Sequence, residues 1–224
     1  MSRERILLAL SENKRGKTLN SSIIIRLAEP RDVDAIVPLI YSSGPAAWDY
    51  VFTQGSKTPS DFLSTSFIKR GNTISYKNHF VAELNGEVVG AIMSYRQPSF
   101  LLLNGGTALR IVSVYGFSAP KVMGRGLVTE GMIRPPKSGR LYLGHIAVSE
   151  KHRGKGIGKE LIRFMAKTFP EFKTLSLDVS QKNEAAIQLY KGLGFQTVDA
   201  RSFGGPVGKV PDHFYMEVER SILR

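Results

Sequence analysis

The 224-residue sequence predicts a mixed α/β domain, a central sheet with helices packed against it. Three observations carry that expectation. A turn holding Gly154, Gly156 and Gly158 joins an apolar, strand-like run (Leu141 to Val148) to a helix-like run (Lys159 to Thr168). Asn85-Gly86 joins two apolar runs as a two-residue hairpin. Leu175, Leu177 and Val179 alternate with Ser176, Asp178 and Ser180, the period of a strand with one buried face. The length suits one domain with a substantial core, with room for an insertion.

Residues 1–21 are polar and basic apart from Ile6 to Leu10, and read as a flexible arm; the ordered domain is expected over 22–224. Ile23-Ile24-Ile25-Arg26 is β-branched and reads as the first strand. Glu29-Pro30-Arg31-Asp32 starts a helix whose apolar stripe is Ala35, Ile36, Leu39 and Ile40. Ser43-Gly44-Pro45 ends it. Trp48, Tyr50, Val51 and Phe52 then form an aromatic cluster, either a core edge or one wall of a substrate pocket. Pro59-Ser60 opens a helix with Phe62, Leu63 and Phe67 on one face. The hairpin Phe80–Leu84 and Glu87–Tyr95 follows; Val88 to Met93 is nearly all apolar, as a central strand would be. Residues 97–139 mix apolar segments with Gly and Pro, and predict an inserted subregion of one or two helices on the substrate side. After the strand 141–148 and its helix, Pro170 stops the chain before the strand at 174–180. Asn183 starts a last helix, Gly194 caps it, and Phe195–Val198 and Phe214–Val218 close the sheet.

Composition narrows the chemistry. With no cysteine, the chain has no disulfide, no thiolate metal site and no cysteine nucleophile. Its four histidines are scattered without i, i+4 spacing, so no metal site is expected. No unbroken apolar run reaches the roughly 18 residues that span a bilayer, and the chain reads as cytoplasmic with no membrane partner. A net charge of +12 attracts anions: a phosphorylated cofactor, an acidic protein or RNA. The basic residues are spread along the chain without interleaved aromatics, so a dedicated nucleic-acid surface is not expected.

The glycine turn is the strongest chemical signal. Arg153-Gly154-Lys155-Gly156-Ile157-Gly158 clears side chains from a backbone that runs straight into a helix N-terminus, where free N–H groups favour phosphate. Arg153 and Glu160 replace the Gly and Ser or Thr of a P-loop, and the glycine spacing breaks the dinucleotide fingerprint. What the chain does hold is Arg153-x-x-Gly156-x-Gly158 behind Ile146-Ala147-Val148, then Asn183-x-x-Ala186-x-x-x-Tyr190-x-x-x-Gly194-Phe195.

These motifs together resemble the GNAT superfamily of N-acetyltransferases, strongly over 141–195 and more loosely from Ser22 through the hairpin. The resemblance implies a mostly antiparallel sheet of about seven strands, splayed between the strands at 141–148 and 174–180, with helices on both faces. It implies acetyl-CoA as co-substrate. The pantetheine arm would pair with main chain at Ile146, Ala147 and Val148, and Asn183 would lie near that arm while also capping its helix. The pyrophosphate would rest on the amides of Arg153, Gly154, Lys155, Gly156, Ile157, Gly158 and Lys159, with the two lysines adding charge. The acceptor would be a primary amine of a small molecule or a peptide, attacking directly in a ternary complex. Tyr190 matches the family's general acid, protonating the departing thiolate. The positions where many members carry a base are Tyr142 and Gly144, so Asp178, twelve residues before Tyr190, is the candidate base. His145 is a weaker candidate, because strict alternation turns it away from Gly144 and Ile146. Homodimers are common in such families. Two other readings stay open on the residues alone: an inert acyl-CoA-binding module, and a ribosome- or RNA-associated acetyltransferase.

Overall fold

The computed structural model describes residues 23–134 and 136–223; the arm expected over 1–21 lies outside the described residues. One seven-stranded sheet runs in the order β1-β2-β3-β4-β5-β7-β6. Its strands are β1 (Ile24–Leu27), β2 (His79–Leu84), β3 (Glu87–Tyr95), β4 (Arg140–Val148), β5 (Thr174–Ser180), β6 (Gln196–Arg201) and β7 (His213–Glu219). Every neighbouring pair is antiparallel except β4 and β5. Asn85 and Gly86 both take positive φ (52° and 84°), the turn that the right-handed twist of β2 and β3 demands.

Helices α1 (Val33–Ser42), α2 (Pro45–Phe52), α3 (Pro59–Phe67), α4 (Ser99–Tyr115) and α5 (Ala119–Glu130) belong to one face. Helices α6 (Ile157–Thr168) and α7 (Glu184–Gly192) cover the other. Each face has its own core. Ile157, Leu161, Ile162 and Met165 of α6 pack with Leu141, Leu143, Leu175 and Leu177. Ile36, Ile40, Phe62 and Phe67 pack with Val81, Ala91 and Ala147. In α1 the buried stripe is Ile36, Val37, Leu39 and Ile40; Ala35 is exposed, because the chain first makes a 3-10 turn at Pro30–Asp32 and the helix starts at Val33, later than the Pro30 signal implied. Thr58 and Asp61 form a reciprocal capping box on α3.

The segment 97–139 folds as the hairpin of α4 and α5 between β3 and β4. Its inner edge is seated firmly: the Tyr115 hydroxyl donates to the Phe52 carbonyl at 2.6 Å, and Arg125 donates to the Thr53 carbonyl at 2.9 Å. A Cβ on Gly106 would collide with the Gly71 carbonyl oxygen, so α4 lies against that loop backbone to backbone. Gly106→Ala is expected to cost about 1–3 kcal/mol by overpacking. Chemical denaturation reads this out, and an unchanged midpoint would show that the contact is loose.

Candidate active site

The site begins where the sheet comes apart. β4 and β5 pair only at Arg140–Thr174, Leu141–Leu175 and Tyr142–Ser176, although β4 runs on to Val148 and β5 to Ser180. Beyond Tyr142 the two strands diverge, and the β5-facing backbone groups of β4 are left without a strand partner. Such groups need hydrogen bonds, and an extended amide-bearing ligand supplies them as an added strand would. Ile146, Ala147 and Val148 lie along this free edge.

β4 also carries a bulge. Ala91 pairs with Ala147 and Met93 with Gly144, so His145 and Ile146 stand opposite Ile92 alone. His145 takes a left-handed conformation (φ 48°), which an extra residue in a strand permits. The bulge overturns the alternation argument: His145 is not turned to the opposite face from Gly144. Its ring stacks on His79 (centroids 5.2 Å apart) and meets Trp48 at 5.3 Å, on the α1–α5 face. His79 Nδ1 lies 3.0 Å from the Ser75 carbonyl, so it carries the proton; His79 Nε2, 3.0 Å from His145 Nδ1, then accepts from it. The chain of bonds leaves the His145 Nε2 lone pair free. Burial pushes both imidazoles down, His79 to about 4 and His145 well below its usual range, so both are neutral at pH 7. Trp48 packs on Phe52 (5.5 Å) and against His145 (5.3 Å), so the aromatic cluster forms a core edge beside the bulge.

The glycine turn closes the far end of the gap. Gly154 and Gly156 have φ of 75° and 80°, and a Cβ on either would meet nothing within 4 Å. The space above the turn is open. Gly158 is packed more closely, its Cβ position 3.3 Å from Leu189 Cδ2, where α6 starts against α7. The Arg153 amide donates to the Glu150 carbonyl at 3.3 Å, so the free donors begin at Gly154 and not at Arg153; those of Gly154 to Lys159 have no main-chain acceptor. The Arg153 side chain folds back, its Nε donating to the Val148 carbonyl at 3.3 Å. Lys155 is exposed, Lys159 half-buried, and neither forms an ion pair among the described residues. Ile157 is a core residue whose amide heads the helix. Amides without acceptors, a helix N-terminus and two cations suit a diphosphate.

Asp178 sits two residues past the last β4–β5 pair, at the base of the divergence. It is not a solvated strand residue: its side chain is 2% exposed. Arg201, from β6, donates from Nη1 to its Oδ1 at 3.1 Å, the Tyr142 hydroxyl approaches the carboxylate as a second donor, and Oδ2 has no close hydrogen-bond partner among the described residues. Burial raises the carboxyl to about 6, against the opposing pull of the Arg201 charge. The Tyr142 phenol faces the carboxylate and is pushed well above its usual range, by burial first and by the Asp178 charge second. Arg201 is held in turn by Asp199 (3.1 Å) and lies over the Tyr215 ring (4.2 Å). Sequence reasoning missed Arg201 and Tyr142 as partners; the only local sign was that a long cation and a phenol occupy strand positions, which alone says nothing of contact.

On the α6–α7 face, Tyr190 is buried in the core, its ring 5.8 Å from Phe195. Among the described residues its hydroxyl has no hydrogen-bond partner, and burial raises it above the usual phenol range. It therefore stays protonated and can donate. Asn183 Oδ1 accepts from the Ala186 amide at 3.1 Å, capping α7. The structure thus gathers Asp178, Tyr142, His145 and Ile146–Val148 about the split, with the glycine turn at its mouth.

A divided sheet with a free strand edge, a bulge and an amide cradle offers hydrogen bonds to an extended ligand and donors to an anionic group. The Acetyltransferase (GNAT) family profile matches residues 48–195. The chain belongs to the GNAT family of acetyltransferases. It is 28% identical over 219 residues to an N-alpha-acetyltransferase of Sulfurisphaera tokodaii, covering 96% of this chain and 97% of that one. It is 40% identical over 68 residues to N-acetyltransferase 8B of Rattus norvegicus, a match spanning 29% of this chain and 31% of the rat protein. Among solved structures, an N-acetyltransferase from Staphylococcus aureus Mu50 superposes with a TM-score of 0.67 at 23% identity, over 87% of this chain and 99% of that one. YncA, a putative acetyltransferase from Salmonella typhimurium with its cofactor acetyl-CoA, superposes with a TM-score of 0.52 at 18% identity, over 89% and 95%. The free edge and amide cradle described above suit the pantetheine and diphosphate of acetyl-CoA, the cofactor of that Salmonella protein.

Proposed function

We propose that the protein transfers an acetyl group from acetyl-CoA to the α-amine of a peptide or protein, by direct attack of the amine within a ternary complex. One observation carries this reading: a buried carboxylate, Asp178, stands at the base of the strand divergence between the Arg201 guanidinium and the Tyr142 phenol, its Oδ2 without a close hydrogen-bond partner among the described residues. A carboxylate so placed can take a proton from an incoming amine.

Each residue has a task in this reading. Main chain at Ile146–Val148 holds the thioester and, through an N–H, the oxygen on which negative charge develops; such a donor is worth about 3–4 kcal/mol. His145 Nε2 accepts a hydrogen bond from the incoming amine and orients it, because the bond from His79 to the Ser75 carbonyl fixes which nitrogen is bare. Asp178 receives the amine proton. Tyr190 gives its proton to the departing thiolate. Asn183 and Gly154–Lys159 position the donor.

The choice of an α-amine follows from charge. Neutralising an α-amine at pH 7 costs about 1 kcal/mol, a lysine-like amine roughly 4–5 kcal/mol. A base that titrates near 6 and is shared with Arg201 suits the first. A net charge of +12 also repels a polyamine. The test is CoA release with N-terminal peptides, ε-amines and spermidine, wild type against Tyr190→Phe. The variant is expected to lose about 10²- to 10³-fold in kcat with the KM for acetyl-CoA little changed. Equal rates would remove Tyr190 from catalysis, and spermidine acetylated faster than every peptide would overturn the acceptor.

A further inference from the structure

We propose that the α4–α5 hairpin is a docking surface that lies flat on an anionic bilayer. The sequence alone points away from a membrane; the folded hairpin changes that by showing which apolar residues are left outside. On α4, Leu101, Leu102, Leu109 and Val112 face solvent, with Leu102 81% and Leu109 72% exposed. Phe117 follows in the turn and Leu127 on α5, both largely exposed. Gly105, Ser113 and Gly116 complete the exposed stripe of α4, which therefore carries no charge along its length. An 18-residue window within Ser99–Glu130 has a mean hydropathy of 1.3, yet only 17% of it is buried.

This stripe is not a displaced core. The opposite edge of the same hairpin is already packed: Ile111, Tyr115 and Val122 belong to the core on that face of the sheet. Nor does the segment cross a membrane as one rod. Gly116 breaks it with φ 52°, and the bonds from Tyr115 to Phe52 and from Arg125 to Thr53 tie both helices sideways to the domain. α4 has 17 residues, about 25 Å, held along the surface with its apolar side outward.

Charge decides what covers it. Between Phe100 and Ser138 the chain carries Arg110, Lys121, Arg125, Arg134 and Lys137 against a single acid, Glu130. Lys137 is paired with Glu217 and Arg134 faces Asp178 and Asp199, but Arg110 and Arg125 bond only to carbonyl oxygens and Lys121 is exposed, so these three charges stay uncompensated among the described residues. A second copy placed on this face would bring like charges together. Anionic headgroups would meet those cations while the leucines and Phe117 enter the boundary with the acyl chains. In the proposed reading the surface lies on the acceptor side: α5 is anchored to the chain just after α2, and α2 carries Trp48, whose ring lies 5.3 Å from that of His145.

The test is sedimentation of the full chain with vesicles of phosphatidylcholine alone or mixed equally with phosphatidylglycerol. The wild type is expected to pellet with the anionic vesicles, less so as salt rises, and weakly with neutral ones. Leu102→Glu/Leu109→Glu is expected to weaken binding at least about tenfold while leaving CoA release on a soluble peptide unchanged. Lys121→Glu, which leaves the apolar stripe intact, is expected to weaken binding to anionic vesicles and not to neutral ones. Wild type left in the supernatant with anionic vesicles would overturn the proposal, as would a leucine variant that pellets like the wild type. A wild-type dimer in analytical ultracentrifugation that the leucine variant dissolves would assign the face to a second copy instead.

Discussion

Gly156→Asp is expected to weaken acetyl-CoA binding by about 100-fold or more, roughly 3 kcal/mol, while the protein stays folded. There is room for the side chain, because a Cβ there meets nothing within 4 Å; the φ of 80° strains any residue but glycine, Asp and Asn less than most. The vacant volume is the place where a diphosphate would approach the amides of Gly154 to Lys159, and a carboxylate in it repels the ligand it displaces. Calorimetric titration with CoA measures the effect, and thermal unfolding verifies the fold. An unchanged Kd would mean that the glycine turn serves only to join strand to helix.

Asp178→Asn is expected to lower kcat by about 10²- to 10³-fold and to alter the pH profile. With the carboxyl raised to about 6, the wild-type rate should climb through an acid limb near pH 6 as Asp178 ionises; the amide abolishes that limb. Stability moves the other way. A carboxyl raised from 3.8 to about 6 on folding binds its proton more tightly in the native state. Its stabilising contribution is complete below about pH 3.8 and lost as pH rises through 6, leaving the ionised form a cost of about 3 kcal/mol at neutrality. Asn keeps an oxygen for Arg201 without the charge, and Arg201 retains its bonds to Asp199 and to the Met132 carbonyl. The variant should therefore unfold at or above the wild-type temperature at pH 7 while turning over slowly. A wild-type rate with the acid limb intact would sink the assignment of Asp178 as base.

What the chain declares locally, the fold repeats. Asn85-Gly86, the Pro59-Ser60 helix start, Asn183 and Gly194 act within a few residues, and each lies where its chemistry placed it. The glycine turn was equally legible because it needs only its own backbone. The long-range partners were not. Arg201 reaches Asp178 across 23 residues, and His79 reaches His145 across 66, and no spacing rule connects either pair. His145 was misplaced for a definite reason: side-chain alternation holds only while a strand's register is unbroken, and the bulge at 145–146 adds one residue. Asp178 was expected on a half-solvated strand face, but the loop before β4 and β6 bring Met132 and Arg201 over it and bury it. The exposed side of α4 was hidden as well, since apolar content alone does not say which way a helix turns.

The three-residue seam between β4 and β5 makes the domain two leaves bound along a short spine. β1–β4 form one leaf and β5–β7 the other, joined by α6 and the core beneath it, by Arg140 to Glu217, by Arg201 to the Met132 carbonyl and by Tyr50 against Phe203, but by no strand pairing beyond Tyr142 and Ser176. In the reading proposed above, a thioester laid along the β4 edge supplies the missing rungs and touches both leaves, so it would brace the fold as well as react, and CoA would raise the unfolding temperature.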